Sequence, residues 1–292
     1  MRLAAAMLPD DTTIWGPVLA GALRDVTSTW PSPARLVAAA LDPVGRAEIE
    51  AVAGQSPGHA LEEIRLLPPV PAPSRTICVG VNYAEHAAEL DRNIDRASDP
   101  TGHPVLFSRF PSSLVGHGAP VERPLASTDF DYEGELAVVI GRRTRSVGPH
   151  EAIEAVAGYS CFLDGTLRDY QRHTSQFLPG KNFDRSGAWG PWIVTADEVG
   201  DAGDLELTTT VSGEVLQRAS TADMVHDVAR IVAYCSEFTT LEPGDVIATG
   251  TPAGVGAART PPRWLVPGDE VRVTIARVGT LANPVVDEAP AS

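Results

Sequence analysis

The stretch Phe130-Asp131-Tyr132-Glu133-Gly134-Glu135-Leu136-Ala137-Val138-Val139-Ile140 places two glutamates one residue apart at the start of an apolar run. The run reads as a β-strand, and a strand sends residues i and i+2 to the same face. Both carboxylates therefore leave one side together. Two like charges at that spacing repel, and burying them unpaired is costly. A hard divalent cation that takes oxygen ligands from both removes the conflict. An edge strand with one solvated acidic face is the commoner explanation of the pattern taken alone, so its meaning depends on what else the chain supplies.

A third acid, Asp164, ends the apolar run Tyr159-Ser160-Cys161-Phe162-Leu163 and precedes Gly165. It can serve as the N-cap of a following helix, or as a third oxygen ligand. Three acids completed by water form an oxygen-only shell that suits Mg²⁺ or Mn²⁺ rather than zinc. None of the seven histidines has ligand-like spacing to another, which also disfavours zinc. His86 and Glu89 lie three apart on a predicted helix and share a face. They read as an exposed polar pair or as a dyad in which the carboxylate orients an imidazole general base. Lys181, in Pro179-Gly180-Lys181-Asn182-Phe183, reads as a solvated turn residue or, beside a metal, as a partner for a carboxylate or developing enolate. It is not a P-loop lysine, and Gly254-Val255-Gly256 is not a dinucleotide fingerprint.

At 292 residues the chain suits one large domain with a smaller appendage. Its 43 % apolar and 21 % charged residues are those of a globular protein with a sizeable core. A net charge of −15 disfavours nucleic acid or an anionic membrane as partner. The three cysteines, Cys78, Cys161 and Cys235, are scattered in apolar runs and read as buried free thiols. The N-terminal apolar run is too short for a signal peptide, and no segment reaches a membrane span, so a cytoplasmic location is expected. Leu67-Pro68-Pro69-Val70-Pro71-Ala72-Pro73 divides the chain into a small N-terminal domain (1–72) and a larger domain (73–292).

Within the larger domain, Thr76-Ile77-Cys78-Val79 reads as a strand, and Asn82 and Glu85 as a capping box opening a helix over Tyr83–Asp91. The polar residues 91–104 read as a mobile loop that lets this helix close over a site as a lid. Helical periodicity is read at Ala152–Ala157, Arg168–Gln176 and Thr221–Glu237. Two Pro-Gly-Asp turns, at 243–245 and 267–269, each lead into β-branched residues. The mixture predicts an α+β fold on a largely antiparallel sheet.

Taken in order, several segments resemble the fumarylacetoacetate hydrolase family over about residues 73 to 288. They are Cys78-Val79-Gly80-Val81-Asn82-Tyr83-Ala84-Glu85-His86, Phe130 to Leu136, Asp164-Gly165-Thr166-Leu167-Arg168-Asp169-Tyr170-Gln171, Pro179 to Asp184, Gly190-Pro191-Trp192, and Gly244 to Gly256. The resemblance implies a mixed β-roll catalytic domain beside a small N-terminal α/β domain, one Mg²⁺ or Mn²⁺, and a homodimer. It implies metal ligands Glu133, Glu135 and Asp164, an active-site Lys181, and substrate contacts at Arg168, Gln171 and Thr251. His86 and Glu89 match the family's lid dyad. Arg109 stands where the family commonly has lysine, which bears on contacts near the substrate's distal end. Asp164-Gly165-Thr166-Leu167 replaces the more usual Asp-Val-Ser-Ala.

What this implies is a metal-dependent enzyme acting on a small 2-oxo acid. The leading expectation is C–C hydrolysis of an acylpyruvate such as fumarylpyruvate, from aromatic catabolism, with His86 and Glu89 activating water. Isomerisation or decarboxylation of unsaturated or 2-oxo diacids is the alternative. A hydratase, or a metal-binding scaffold without turnover, stands further off.

Overall fold

A computed structural model describes residues 1–91 and 102–290. The mobile loop expected over 91–104 falls, for residues 92–101, outside the described residues. Among the described residues the larger sheet has twelve strands. Near its middle runs Gly134–Ile140, antiparallel to Val156–Leu163 on one side and to Val246–Ala248 on the other. All of its residues are buried, which removes the solvated edge strand as an explanation.

Alternation along that strand decides what each face meets. Leu136, Val138 and Ile140 join a core with Leu207, Val211, Val271 and Val273 of a second, five-stranded sheet. Ala137 and Val139 join another core, with Trp30, Leu36, Val37 and Ile49 from the N-terminal segment. The second sheet approaches so closely that a Cβ on Gly134 would lie 2.0 Å from Thr209 Oγ1. The residue between the two glutamates is a glycine for lack of room.

Most strand pairs are antiparallel; Val246–Ala248 with Thr76–Gly80, Leu114–Val115 with Gly187–Thr195, and Val121–Arg123 with Gly279–Asp287 are parallel. The fold is α+β, as the sequence pattern predicts. The N-terminal strand Arg2–Met7 pairs with Thr13–Leu19 and with Gly187–Thr195, so the sheet runs across the proline-rich stretch between the two expected domains. Helices Pro33–Ala39 and Pro43–Ala53 begin where Ser32 and Asp42 accept backbone N–H bonds and a proline occupies the first turn.

Several local readings give way to tertiary contacts. Asn82 does not cap a helix starting at Tyr83. The helix runs Ala84–Asp91, while the Asn82 amide donates to His226 O and Thr249 O and accepts from His226 N. The period read at Ala152–Ala157 is cut short. The helix is Pro149–Ile153, and Val156 already opens a strand paired on both sides. Arg168–Gln176 resolves into a single turn, Arg168–Gln171, followed by a second at Leu178–Lys181. Thr221–Glu237 resolves into a 3₁₀ turn, Thr221–Asp223, and the helix Val228–Phe238 capped by Asp227. The two Pro-Gly-Asp turns are as read. In each the aspartate accepts the N–H of the residue three before it, Glu242 at 2.8 Å and Val266 at 3.0 Å.

Candidate active site

Strand register brings the three acids together. Gly134 faces Leu163 and Glu135 faces Phe162 across the antiparallel pair. The next residue, Asp164, donates its N–H to Glu133 O at 2.9 Å. Glu133, Glu135 and Asp164 each present a carboxylate oxygen within 4.8 Å of the others, and all three are buried. Asp164 caps no helix; its side chain belongs to this cluster.

Cationic and N–H donors surround the triad. Lys181 Nζ lies 2.6 Å from both Glu133 Oε2 and Asp164 Oδ2. Arg109 donates to Asp164 Oδ1 at 2.6 Å, and Gly250 N–H to Glu135 Oε2 at 2.8 Å. Arg168 Nη2 sits 2.7 Å from Glu133 Oε1, an ion pair without a directed hydrogen bond. Burial alone would raise Glu133, but Lys181, Arg168 and His86 outweigh it and hold the carboxyl below its ordinary range. Glu135 goes the other way. Burial, then the charges of Asp164 and Glu133, push it well above that range. Burial would lower Lys181, yet Asp164 and Glu133 raise it, so it is an ammonium at neutral pH. The reading of Lys181 as a solvated turn residue is thereby removed.

An all-carboxylate donor set of this size fits a hard divalent cation, Mg²⁺ or Mn²⁺. The repulsion left on Glu135 is what such a charge relieves. No helix among the described residues is long and apolar enough to cross a membrane.

One loop, 249–257, ties the surroundings together. Thr251 Oγ1 donates to Gly134 O at 3.0 Å and accepts from Gln217 Nε2 at 2.8 Å. Gly256 and Ala257 N–H donate to the Asp131 carboxylate, which also takes Arg168 Nε at 2.7 Å. Arg168 Nη1 reaches Gln171 Oε1 at 3.0 Å. Gly254 N–H donates to both oxygens of Glu89, at 2.9 and 3.0 Å. His86 Nδ1 is 3.5 Å from Glu89 Oε2, close but not aligned for a hydrogen bond. The imidazole is buried, so the pair is not the exposed one that its spacing alone suggests.

Sequence reasoning missed Gln217 and the anchoring role of Asp131. Gln217 Oε1 accepts Gly134 N–H at 3.0 Å, while its amide donates to Thr251 and Pro252. It comes from the second sheet, and nothing in Glu214-Val215-Leu216-Gln217-Arg218 marks it. Asp131 lay within the quoted motif, and its proximity to the glutamates was the available signal.

The fold and site define a class. The fumarylacetoacetate hydrolase C-terminal pattern matches residues 75–286, and the chain belongs to that family and is an enzyme of it. Among its relatives is a mitochondrial oxaloacetate tautomerase of Homo sapiens, 40% identical over 238 residues, which are 81% of this chain and 74% of that one. Maleylpyruvate hydrolase from Sphingobium sp. SYK-6, solved with manganese(II) and pyruvate, superposes with a TM-score of 0.80 at 33% identity, covering 99% of this chain and 100% of that one. A 5-carboxymethyl-2-hydroxymuconate delta-isomerase from Mycobacterium smegmatis superposes at 0.76 with 32% identity and the same coverage.

Proposed function

We propose that the chain interconverts the keto and enol forms of a short 2-oxo diacid of the oxaloacetate class, with a divalent cation held by Glu133, Glu135 and Asp164. The observation that carries this reading is a buried imidazole, His86, 3.5 Å from the Glu89 carboxylate, in a fold that also gathers a triad built for a hard cation. When bound, the cation supplies the positive charge that makes a 2-oxo acid an electron sink.

The chain's own residues do the rest. His86 removes the proton from the carbon next to the keto group and passes it to the enolate oxygen, and the reverse transfer regenerates the keto form. Glu89 stabilises the imidazolium meanwhile. The Lys181 ammonium donates to the oxygen on which negative charge gathers. Gln171, half-buried and held by Arg168 Nη1, is the polar edge that meets the substrate carboxylate. The 40% identity to an oxaloacetate tautomerase favours this reaction over the hydrolysis expected from the sequence.

Acylpyruvate hydrolysis is a second reading, favoured by the likeness to the maleylpyruvate hydrolase. Proton NMR in D₂O separates the two. With Mg²⁺ or Mn²⁺ added, the enzyme should speed exchange at C3 of oxaloacetate, and His86→Ala should slow it by ~10²–10⁴-fold. Acid release from acylpyruvates without accelerated exchange would replace the first reading by the second.

A further inference from the structure

Resemblance alone puts Arg109 near the substrate. Its guanidinium is instead enclosed, at 2 % exposure, and every one of its five N–H groups meets a protein acceptor. Nε donates to Ser113 Oγ at 3.1 Å. Nη1 donates to Asp164 Oδ1 at 2.6 Å and Gly165 O at 3.0 Å. Nη2 donates to Ser186 Oγ at 2.7 Å and Ser113 O at 3.3 Å. Both serine hydroxyls are fixed as acceptors, because each donates at 2.8 Å to a carbonyl, Phe110 O and Phe183 O. The socket is also shaped for this side chain: a Cβ on Gly187 would lie 2.7 Å from the guanidinium carbon.

We propose that Arg109 is a positioning residue for the metal site. It clamps Asp164 through Oδ1 and so leaves Oδ2 turned toward the triad, where Lys181 meets it. Ser113, Ser186 and Gly187 form the socket that fixes the clamp. A lysine cannot replace it. A single ammonium with three donors cannot reach Asp164, Gly165 and two serines at once, whereas a planar fork can. The proposal rests on the triad holding a divalent cation, and not on which 2-oxo acid is turned over.

Mn²⁺ titration of the metal-free protein, followed by electron paramagnetic resonance, tests it. Arg109→Lys should weaken Mn²⁺ binding by ~10–100-fold, the range for groups that orient a metal ligand. Ser186→Ala should weaken it less, in the same direction. At saturating Mn²⁺ the substrate KM of both variants should return to the wild-type value. Unchanged Mn²⁺ affinity with a raised KM would make Arg109 a substrate contact; with both unchanged, its role is merely structural. Either result overturns the proposal, as does a wild-type protein that binds no Mn²⁺. If Arg109→Lys does not fold, Ser186→Ala decides the matter on Mn²⁺ affinity alone. A protein that binds Mn²⁺ but turns over no 2-oxo acid counts against the proposed reaction and leaves this test intact.

Discussion

Asp131 and Glu135 stand four residues apart in one motif, both buried, and their surroundings are opposite. Asp131 accepts Arg168 Nε and the N–H groups of Tyr132, Gly256 and Ala257. Glu135 accepts one N–H, from Gly250, and faces two other carboxylates. A buried charge with a full set of donors is an anchor, holding the 249–257 loop and Arg168 in place. A buried charge left in repulsion is held there by the rest of the fold and is ready for a cation. The difference is one of surroundings, since the two side chains carry the same chemistry.

The comparison breaks if the two respond alike to substitution. Glu135→Gln keeps an acceptor for Gly250 and removes one source of repulsion. It should abolish turnover and the thermal shift caused by Mg²⁺, with a metal-free melting temperature equal to or above that of wild type. Asp131→Ala leaves Arg168 buried beside one fewer partner and should destabilise the fold by about 3–5 kcal/mol. Urea unfolding of both, without metal, measures the contrast. Equal destabilisation would erase it.

Glu89 sharpens the same distinction, because it is partly anchor and partly reactive. Its two oxygens hold Gly254 N–H, and one also faces His86. Glu89→Gln retains an acceptor for Gly254 but loses the charge beside the imidazole, so kcat should fall while the helix Ala84–Asp91 stays docked. Glu89→Ala loses both, and faster hydrogen exchange at Gly254 should accompany the drop in rate. Equal exchange in the two variants would remove the anchoring role.

The smallest expected effect lies outside the site. Burial, then the Arg272 charge, hold His117 below its ordinary value of 6.5, and its Nδ1 accepts Ala282 N–H at 3.1 Å. The folded chain keeps this imidazole neutral where the unfolded chain binds a proton. Its contribution to stability is therefore present above pH 6.5 and is lost as the pH falls from there toward the lowered folded value. Denaturation midpoints in His117→Gln should fall less over that window than in wild type. Parallel curves would refute the assignment.

How much of this was legible follows from the range of the contacts involved. The period of a strand put Glu133 and Glu135 on one face, and an apolar run ending at Asp164 made it the natural third member. The turns at 243–245 and 267–269 were legible because their hydrogen bonds close within four residues. Asn82 looked like a cap because a cap is local, yet its amide bonds residues more than 140 positions away. Val156 was read into a helix because periodicity is ambiguous over short apolar stretches, and two neighbouring strands settle it.

The sequence alone determined the chemistry on offer: three carboxylates, a lysine and an imidazole, in the order of a known family, on a mainly antiparallel α+β frame. Only the tertiary structure decided which charges are satisfied. It assigned Arg109 to Asp164, Asp131 to the 249–257 loop and Gln217 to Gly134. The physical reason is that a buried charge is set by donors arriving from distant strands, and neither spacing nor composition records where those donors come to rest.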